Sequence, residues 1–251
     1  MENTEILSTF HQQGFVTLNF LTKGQFENIQ SLIVNKWRSI IIENHPELTA
    51  EVQELDISGY HKIASQLDHE NLWTKKRRLF SQSEVLSLFD FGLISWLRDL
   101  FPDLEIVDIE GIGYPEIYWR LVRPGGADVA PAHRDSWFWT ITNKIPEKSQ
   151  HGLAKVWFPV ASIPNENGLG VYPHSTRWDV QPEIESRHGR EKPSLSEQTS
   201  NLLRNHPSVN LPLDPQQCVL FDRKLFHFGI PHTINATRVS VEFAVKSKAF
   251  T

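Results

Sequence analysis

The chain has 251 residues, a formal net charge of −5 and one cysteine, Cys218. A single cysteine excludes an intrachain disulfide and any site built from several thiolates, and it makes a reducing, cytoplasmic setting the expectation. The acidic balance excludes the concentrated positive surface that nucleic-acid binding needs, and no apolar run approaches the roughly 20 residues of a membrane span.

Met1 to Phe10 carries Glu2 and Glu5 without a basic stretch and does not read as a signal peptide. Gly14-Phe15-Val16-Thr17-Leu18 reads as a strand. Thr22 precedes Gln25 by the capping-box spacing. Phe26, Ile29, Ile33, Trp37, Ile40 and Ile41 then follow at helical intervals until Pro46. Thr49 to Gln82 is weakly patterned, with one short helix expected around Gly59 to Leu67. Its basic run, Lys75-Lys76-Arg77-Arg78, reads as a solvated helix end or loop. A further helix is expected from Ser83. Val85, Phe89, Leu93, Trp96, Leu97 and Leu100 form its buried stripe and Pro102 closes it.

Beyond Pro102 the pattern changes to short β-prone runs around Val107, Ile109, Ile117 to Val122, and Val156 to Phe158. Trp119, Trp137, Trp139 and Trp157 fall in segments that read as strands. Turn signals lie at Gly111 to Pro115, Pro124-Gly125-Gly126 and Pro164 to Gly168. The clearest strands are Cys218 to Phe221 and Arg238 to Val245. Alternation in the second puts Val239, Val241, Phe243 and Val245 on one face and Arg238, Ser240, Glu242 and Ala244 on the other. Pro173 to Pro215 is charged and proline-bearing, and a loop of that length is expected either to cover a site or to be disordered. The expected fold is therefore a single domain over residues 1–251. It is mainly β with flanking helices: a mostly helical cover over 1–102 and a sandwich or jelly-roll core over 103–251, with a long loop near 173–215.

His133 and Asp135 are two residues apart, and on a strand that spacing would point both side chains to one face. Taken alone, such a pair is more often solvated, or a histidine oriented by its carboxylate. His227 offers a third ligand from another strand. Two imidazoles and a carboxylate on one face of a divalent iron leave the opposite face open, the arrangement of non-haem iron oxygen chemistry. His232 is a rival, but it lies six residues before Arg238 and follows Pro231. Arg238 would need an anion if partly buried. A planar carboxylate gripped bidentately, with Ser240 adding one hydrogen bond, supplies it, and so would Glu242 or Asp222. Asn235 favours the turn that returns the chain to Arg238.

These residues, together with Gly14-Phe15-Val16-Thr17-Leu18, Val156-Trp157-Phe158-Pro159-Val160, Asn167 to Ser175 and Thr237 to Phe243, resemble the iron(II)/2-oxoglutarate-dependent oxygenases. The similarity is to the phytanoyl-CoA dioxygenase-like branch. The resemblance implies a double-stranded β-helix, iron held by His133, Asp135 and His227, and 2-oxoglutarate salt-bridged at its distal carboxylate by Arg238 with Ser240 assisting. It also implies dioxygen as oxidant, with succinate and carbon dioxide released. Related halogenases have Gly or Ala where this chain has Asp135, so the carboxylate implies hydroxylation rather than halogenation. Desaturation, cyclisation or epimerisation would use the same cofactors. A metal- or sugar-binding jelly roll without activity is the contrasting class, and a buried Arg238 would discriminate against it. Arg123, Arg134, Arg177 and Arg223, near strand ends or the long loop, suggest a small anionic or polar substrate if they converge. Trp137 and Trp139 are expected to be either its aromatic wall or core.

Overall fold

The structure is a computed structural model and describes residues 3–125, 128–142, 144–187 and 190–251. Gly126 of the expected turn, and Met1 and Glu2 of the N-terminal stretch, lie outside the described residues. Strands in chain order are β1 (Phe15–Asn19), β2 (Glu105–Ile106), β3 (Tyr118–Val122), β4 (Leu153–Ala161), β5 (Leu169–Val171), β6 (Glu183–Arg187), β7 (Arg190–Ser194), β8 (Val209–Leu211), β9 (Gln217–Asp222), β10 (His227–Gly229) and β11 (Arg238–Lys246). The main sheet runs β1-β9-β4-β11-β2, with β3 also pairing β11. A second sheet runs β10-β5-β8, and β6 and β7 form a hairpin.

Two-residue alternation gives the main sheet two chemically different faces. Val16 and Leu18 of β1, Trp119 and Leu121 of β3, Val156 and Phe158 of β4, Leu220 of β9 and the alternate valines and phenylalanine of β11 all face one side. There they join Ile29, Ile33, Trp37 and Ile41 in one buried cluster. Those four come from the helix Lys23–Asn44, whose start is fixed by the Thr22–Gln25 capping box. The opposite face carries Arg238, Ser240, Glu242 and Ala244 of β11, Lys155 and Trp157 of β4, and Tyr118 and Arg120 of β3. The short second sheet stands nearby, with Leu169, Val171 and Leu211 packing on Trp157, Val219 and Phe221.

The expectation of a mainly β chain needs correction, because helix outweighs strand. Residues 3–102 are largely helical or 3-10, and helices recur after position 134. The helix expected from Ser83 is two helices, Gln82–Asp90 and Ser95–Leu100, separated at Gly92, whose φ of +83° no helix accommodates. The first is capped by a reciprocal Ser81–Glu84 box. The short helix expected at Gly59 to Leu67 is a pair of 3-10 turns, Ile57–Lys62 and Ala64–Gln66. The long loop at 173–215 carries structure: the β6–β7 hairpin, the helix Glu197–Asn205 and β8.

Candidate metal centre and cavity

His227 opens β10, and its backbone pairs with His133 through an isolated antiparallel bridge with N–O distances of 3.0 and 3.1 Å. Those two hydrogen bonds set the imidazoles side by side, with ring centroids 4.3 Å apart. His133 is not followed by strand. Arg134 is extended, and Asp135 begins the helix Asp135–Ile141, so the two-residue strand spacing is replaced by a bridge-to-helix corner. The corner still brings the carboxylate round, and one donor atom each from His133, Asp135 and His227 lie within 4.8 Å of one another. Among the described residues no other such group of metal-ligating side chains exists. His232 is buried elsewhere and takes no part.

Each imidazole is oriented by its own backbone. His133 Nδ1 donates to Pro131 O at 2.7 Å and His227 Nδ1 to Leu225 O at 3.1 Å. In those tautomers both Nε2 lone pairs are left for a metal. Enclosure by protein disfavours charge on His133 and pushes its pKa down to about 3, with the neighbouring His227 acting in the same direction. Burial alone would raise the Asp135 carboxyl. Lys155, 3.8 Å from its Oδ2, and the two imidazoles outweigh that, and the carboxyl stays below the ordinary carboxylate range. Asp135 Oδ2 is buried with no hydrogen-bond partner. Two imidazole nitrogens and one carboxylate with an orphaned oxygen, opening on a cavity, suit a divalent iron.

That cavity has a volume of about 670 Å³, within the ordinary range for small-molecule sites. Arg238 lines it and is 4% exposed. Its Nη1 donates to Asn167 O (3.1 Å) and Gly168 O (2.5 Å), while its Nε has no partner. It pairs with neither Glu242 nor Asp222, and burial pulls its pKa down to about 9. A guanidinium so placed calls for an anion. Ser240, fully buried on the same face of β11, has an unpartnered Oγ.

The arginines expected to converge on a substrate do not. Arg123 is held bidentately by Asp128 at 2.7 and 2.8 Å. Arg134 donates to Ser175 O and Trp178 O and packs over the Phe226 ring. Arg177 is exposed, and Arg223 is buried beside Asp222. None of the four lines the cavity. Trp137 and Trp139 do line it, but from the helix Asp135–Ile141 rather than from a strand. The cavity's charges come chiefly from Arg120 and Lys155, which sequence reasoning passed over, from Arg78, expected to be solvated, and from Glu242, expected only as a possible partner of Arg238. Lone charges in apolar strands were the available signal: Arg120 interrupts Ile117–Val122, and Lys155 interrupts Leu153–Trp157. Of the basic run, Lys76 and Arg77 are solvated as expected, whereas Lys75 and Arg78 line the cavity.

The phytanoyl-CoA dioxygenase family model matches residues 74–240, two thirds of the chain, including His133, Asp135, His227, Arg238 and Ser240. The chain belongs to the phytanoyl-CoA dioxygenase family. It is thus a non-haem Fe(II)/2-oxoglutarate-dependent enzyme whose facial triad is His133, Asp135 and His227. Solved structures share the fold at low identity. EctD from S. alaskensis, with 2-oxoglutarate and 5-hydroxyectoine, is 16% identical with a TM-score of 0.60, over 100% of this chain and 77% of that one. The epimerase SnoN from nogalamycin biosynthesis, described as non-heme and alpha-ketoglutarate-dependent, is 11% identical with a TM-score of 0.55, over 98% and 82%. AviO1 from Streptomyces viridochromogenes Tue57 is 14% identical with a TM-score of 0.54, over 100% and 97%. No curated protein sequence matches the chain. No helix among the described residues is long and apolar enough to cross a membrane.

Proposed function

We propose that this protein is a dioxygenase that hydroxylates an unactivated C–H bond of a small polar or anionic molecule. One substrate, one 2-oxoglutarate and one dioxygen give the alcohol, succinate and carbon dioxide. The observation that carries the reading is the buried Arg238, whose hydrogen bonds among the described residues are to carbonyl oxygens, on the cavity that the three ligands open into. With iron(II), 2-oxoglutarate and dioxygen bound, oxidative decarboxylation of the oxo acid supplies the oxidising equivalent for the C–H bond.

The chain's own residues bind, orient and exclude water. His133, Asp135 and His227 hold the metal, and the carbonyls of Pro131 and Leu225 fix the histidine tautomers. Arg238 grips the distal carboxylate of 2-oxoglutarate and Ser240 Oγ adds a hydrogen bond, which satisfies two atoms otherwise buried without partners. Trp137, Phe138, Trp139 and Trp157 give the cavity apolar walls, and the β6–β7 hairpin contributes Lys192 and Ser194 to its lining. A jelly roll that only binds metal or sugar has no use for a buried, carboxylate-free guanidinium. The likeness to SnoN keeps epimerisation as a second outcome of the same machinery, alongside desaturation and cyclisation. Purified protein with iron(II), ascorbate, oxygen and 2-oxoglutarate is expected to release succinate. No release across a broad panel of small acids would overturn the assignment, and a product isobaric with its substrate would replace hydroxylation by epimerisation.

A further inference from the structure

Along β11 and at the start of the helix after His133, four buried polar atoms have no hydrogen-bond partner: Asp135 Oδ2, Arg238 Nε, Ser240 Oγ and Glu242 Oε1. On the function proposed above, metal takes the first and the oxo acid takes the next two. Glu242 Oε1 is left over. Glu242 is 8% exposed and lines the cavity. Its other oxygen is bound by Lys155 at 3.2 Å, and the same ammonium lies 3.8 Å from Asp135 Oδ2. One lysine therefore spans the gap between Glu242 and the metal-binding carboxylate. A molecule seated on Glu242 is within a small molecule's length of the metal.

Arg120 is the second half of the pair. Its Nη1 lies 3.6 Å from Glu242 Oε1, an ion-pair distance but too long for a hydrogen bond, and its side chain is a third exposed toward the cavity it lines. Three of the other cavity cations are placed by different partners. Lys75 and Lys144 share Glu110, and Lys75 also meets Glu116. Arg78 donates to the carbonyls of Trp73 and Trp119 and meets no carboxylate among the described residues. Lys155 and Glu242 offset each other, so the charge left facing the interior is positive. Such an interior favours an anion, while Glu242 Oε1 asks for a proton donor.

We propose that Arg120 and Glu242 are the receptor for the primary substrate, and that this substrate is a small carboxylic acid with an N–H or O–H group a few atoms from its carboxylate. This rests on the dioxygenase reading. Arg120 takes the carboxylate, Glu242 Oε1 accepts from the donor, and Trp137, Trp139 and Phe138 cover the carbon skeleton. Amino acids and hydroxy acids share this chemistry, and the experiment separates them.

The probes are the standard L-amino acids and their 2-hydroxy counterparts, each beside its methyl ester, tested for stimulation of succinate release. At least one free acid is expected to stimulate, and its ester to fail. In Arg120→Gln and Glu242→Gln the half-saturation for that acid should rise about tenfold or more, the worth of a charge-assisted hydrogen bond, and the half-saturation for 2-oxoglutarate should rise much less. Arg120→Lys should recover part of the loss. Esters equal to acids would overturn the proposal. So would a 2-oxoglutarate requirement that moves as far as the acid's in Arg120→Gln, or succinate release that no probe stimulates. Absence of any succinate release is failure of the dioxygenase reading instead. The receptor is then decided by thermal shifts of the Mn(II)- and N-oxalylglycine-loaded protein, where stabilisation by free acids but not esters supports it and equal or no stabilisation sinks it. If the variants do not fold, the acid–ester comparison on the unaltered protein decides.

Discussion

Asp135 carries more of the chemistry than any other single residue, because it supplies the one anionic ligand and also meets Lys155. Asp135→Ala removes the carboxylate and leaves the Lys155 ammonium facing the metal. Loss of a group that merely orients a ligand costs about 10–100-fold in metal affinity, so loss of the ligand itself should cost at least about 100-fold. Mn(II) titration, which needs no turnover, checks this. Retention of affinity within about threefold would remove Asp135 from the site. Arg238→Leu tests the cosubstrate anchor. A hydrogen bond to a charged group is worth about 1.5–3 kcal/mol, so the half-saturation for 2-oxoglutarate should rise about 10–100-fold, measured by succinate release. An unchanged value would place the anchor elsewhere. These residues were legible because few side chains combine such sparse spacing with such restricted chemistry: a His-x-Asp pair, a histidine just past a strand, and an arginine eleven residues beyond it. Glu242 was half legible, since its parity with Arg238 on β11 puts both on one face. Arg123, Arg134, Arg177 and Arg223 misled because proximity in sequence to strand ends says nothing about which carboxylate or carbonyl each finds.

At the scale of elements, the precision of the site depends on the pairing of β5 with β10. Phe228 stands directly opposite Gly170, and a Cβ at position 170 would come within 2.3 Å of the Phe228 ring. The ring occupies the space above the glycine, one residue from His227. Gly170→Ala is therefore expected to destabilise the protein by about 1–3 kcal/mol, the usual cost of overpacking, and to weaken Mn(II) binding through displacement of β10. Gly24→Ala is the control. It lies in the helix Lys23–Asn44 with nothing within 4 Å of an added Cβ, and it should lose nothing. Chemical denaturation and metal titration of the two variants check the contrast, and equal stability would show that the Phe228 ring swings clear. The long helix was readable because its apolar period is unbroken from Phe26 to Ile41 and its cap is written in Thr22 and Gln25. The helix Asp135–Ile141 was not. Its run Trp137-Phe138-Trp139 is aromatic on every side, so neither a two-residue nor a 3.6-residue period shows. The bridge between His133 and His227 is a contact across 94 residues that no local pattern encodes. The hairpin and helix within 173–215 were hidden by charge and proline, which mark a solvent-facing cover as readily as a loop.

For the whole molecule, the division of the main sheet into an apolar face under helices and a charged face around a cavity fixes how stability must respond to pH. Sequence alternation announced the two faces of β11, but the burial that gives the charged face its energetic weight is a property of the assembled fold. The imidazoles of His133 and His69 are held below the ordinary 6.5, in both cases chiefly by burial. Burial alone would raise the carboxyls of Glu242 and Asp128. Lys155 and Arg120 in the first case, and Arg123 in the second, reverse that and hold both below the usual carboxylate range. All four groups bind protons more weakly in the folded state than in the unfolded one. Their contribution is therefore full above the unfolded values and declines as pH falls through them. The histidines act first, below about 6.5, and the carboxylates join below about 4.5. Asp222 runs the other way, because burial raises its carboxyl. It favours the folded state only at the acid end and partly offsets the loss there. The metal-free protein should thus melt at a nearly constant temperature between about pH 7 and 8 and lose stability in two stages on acidification, the first centred near the histidine range. Metal adds to the first stage, since protonated imidazoles cannot ligate and bound metal stabilises only the folded chain. Melting curves from pH 8 to 4, with and without Mn(II), check this. The Mn(II) increment should vanish before the second stage begins, and an increment that survives to pH 4 would mean the bound ion is not held by these histidines.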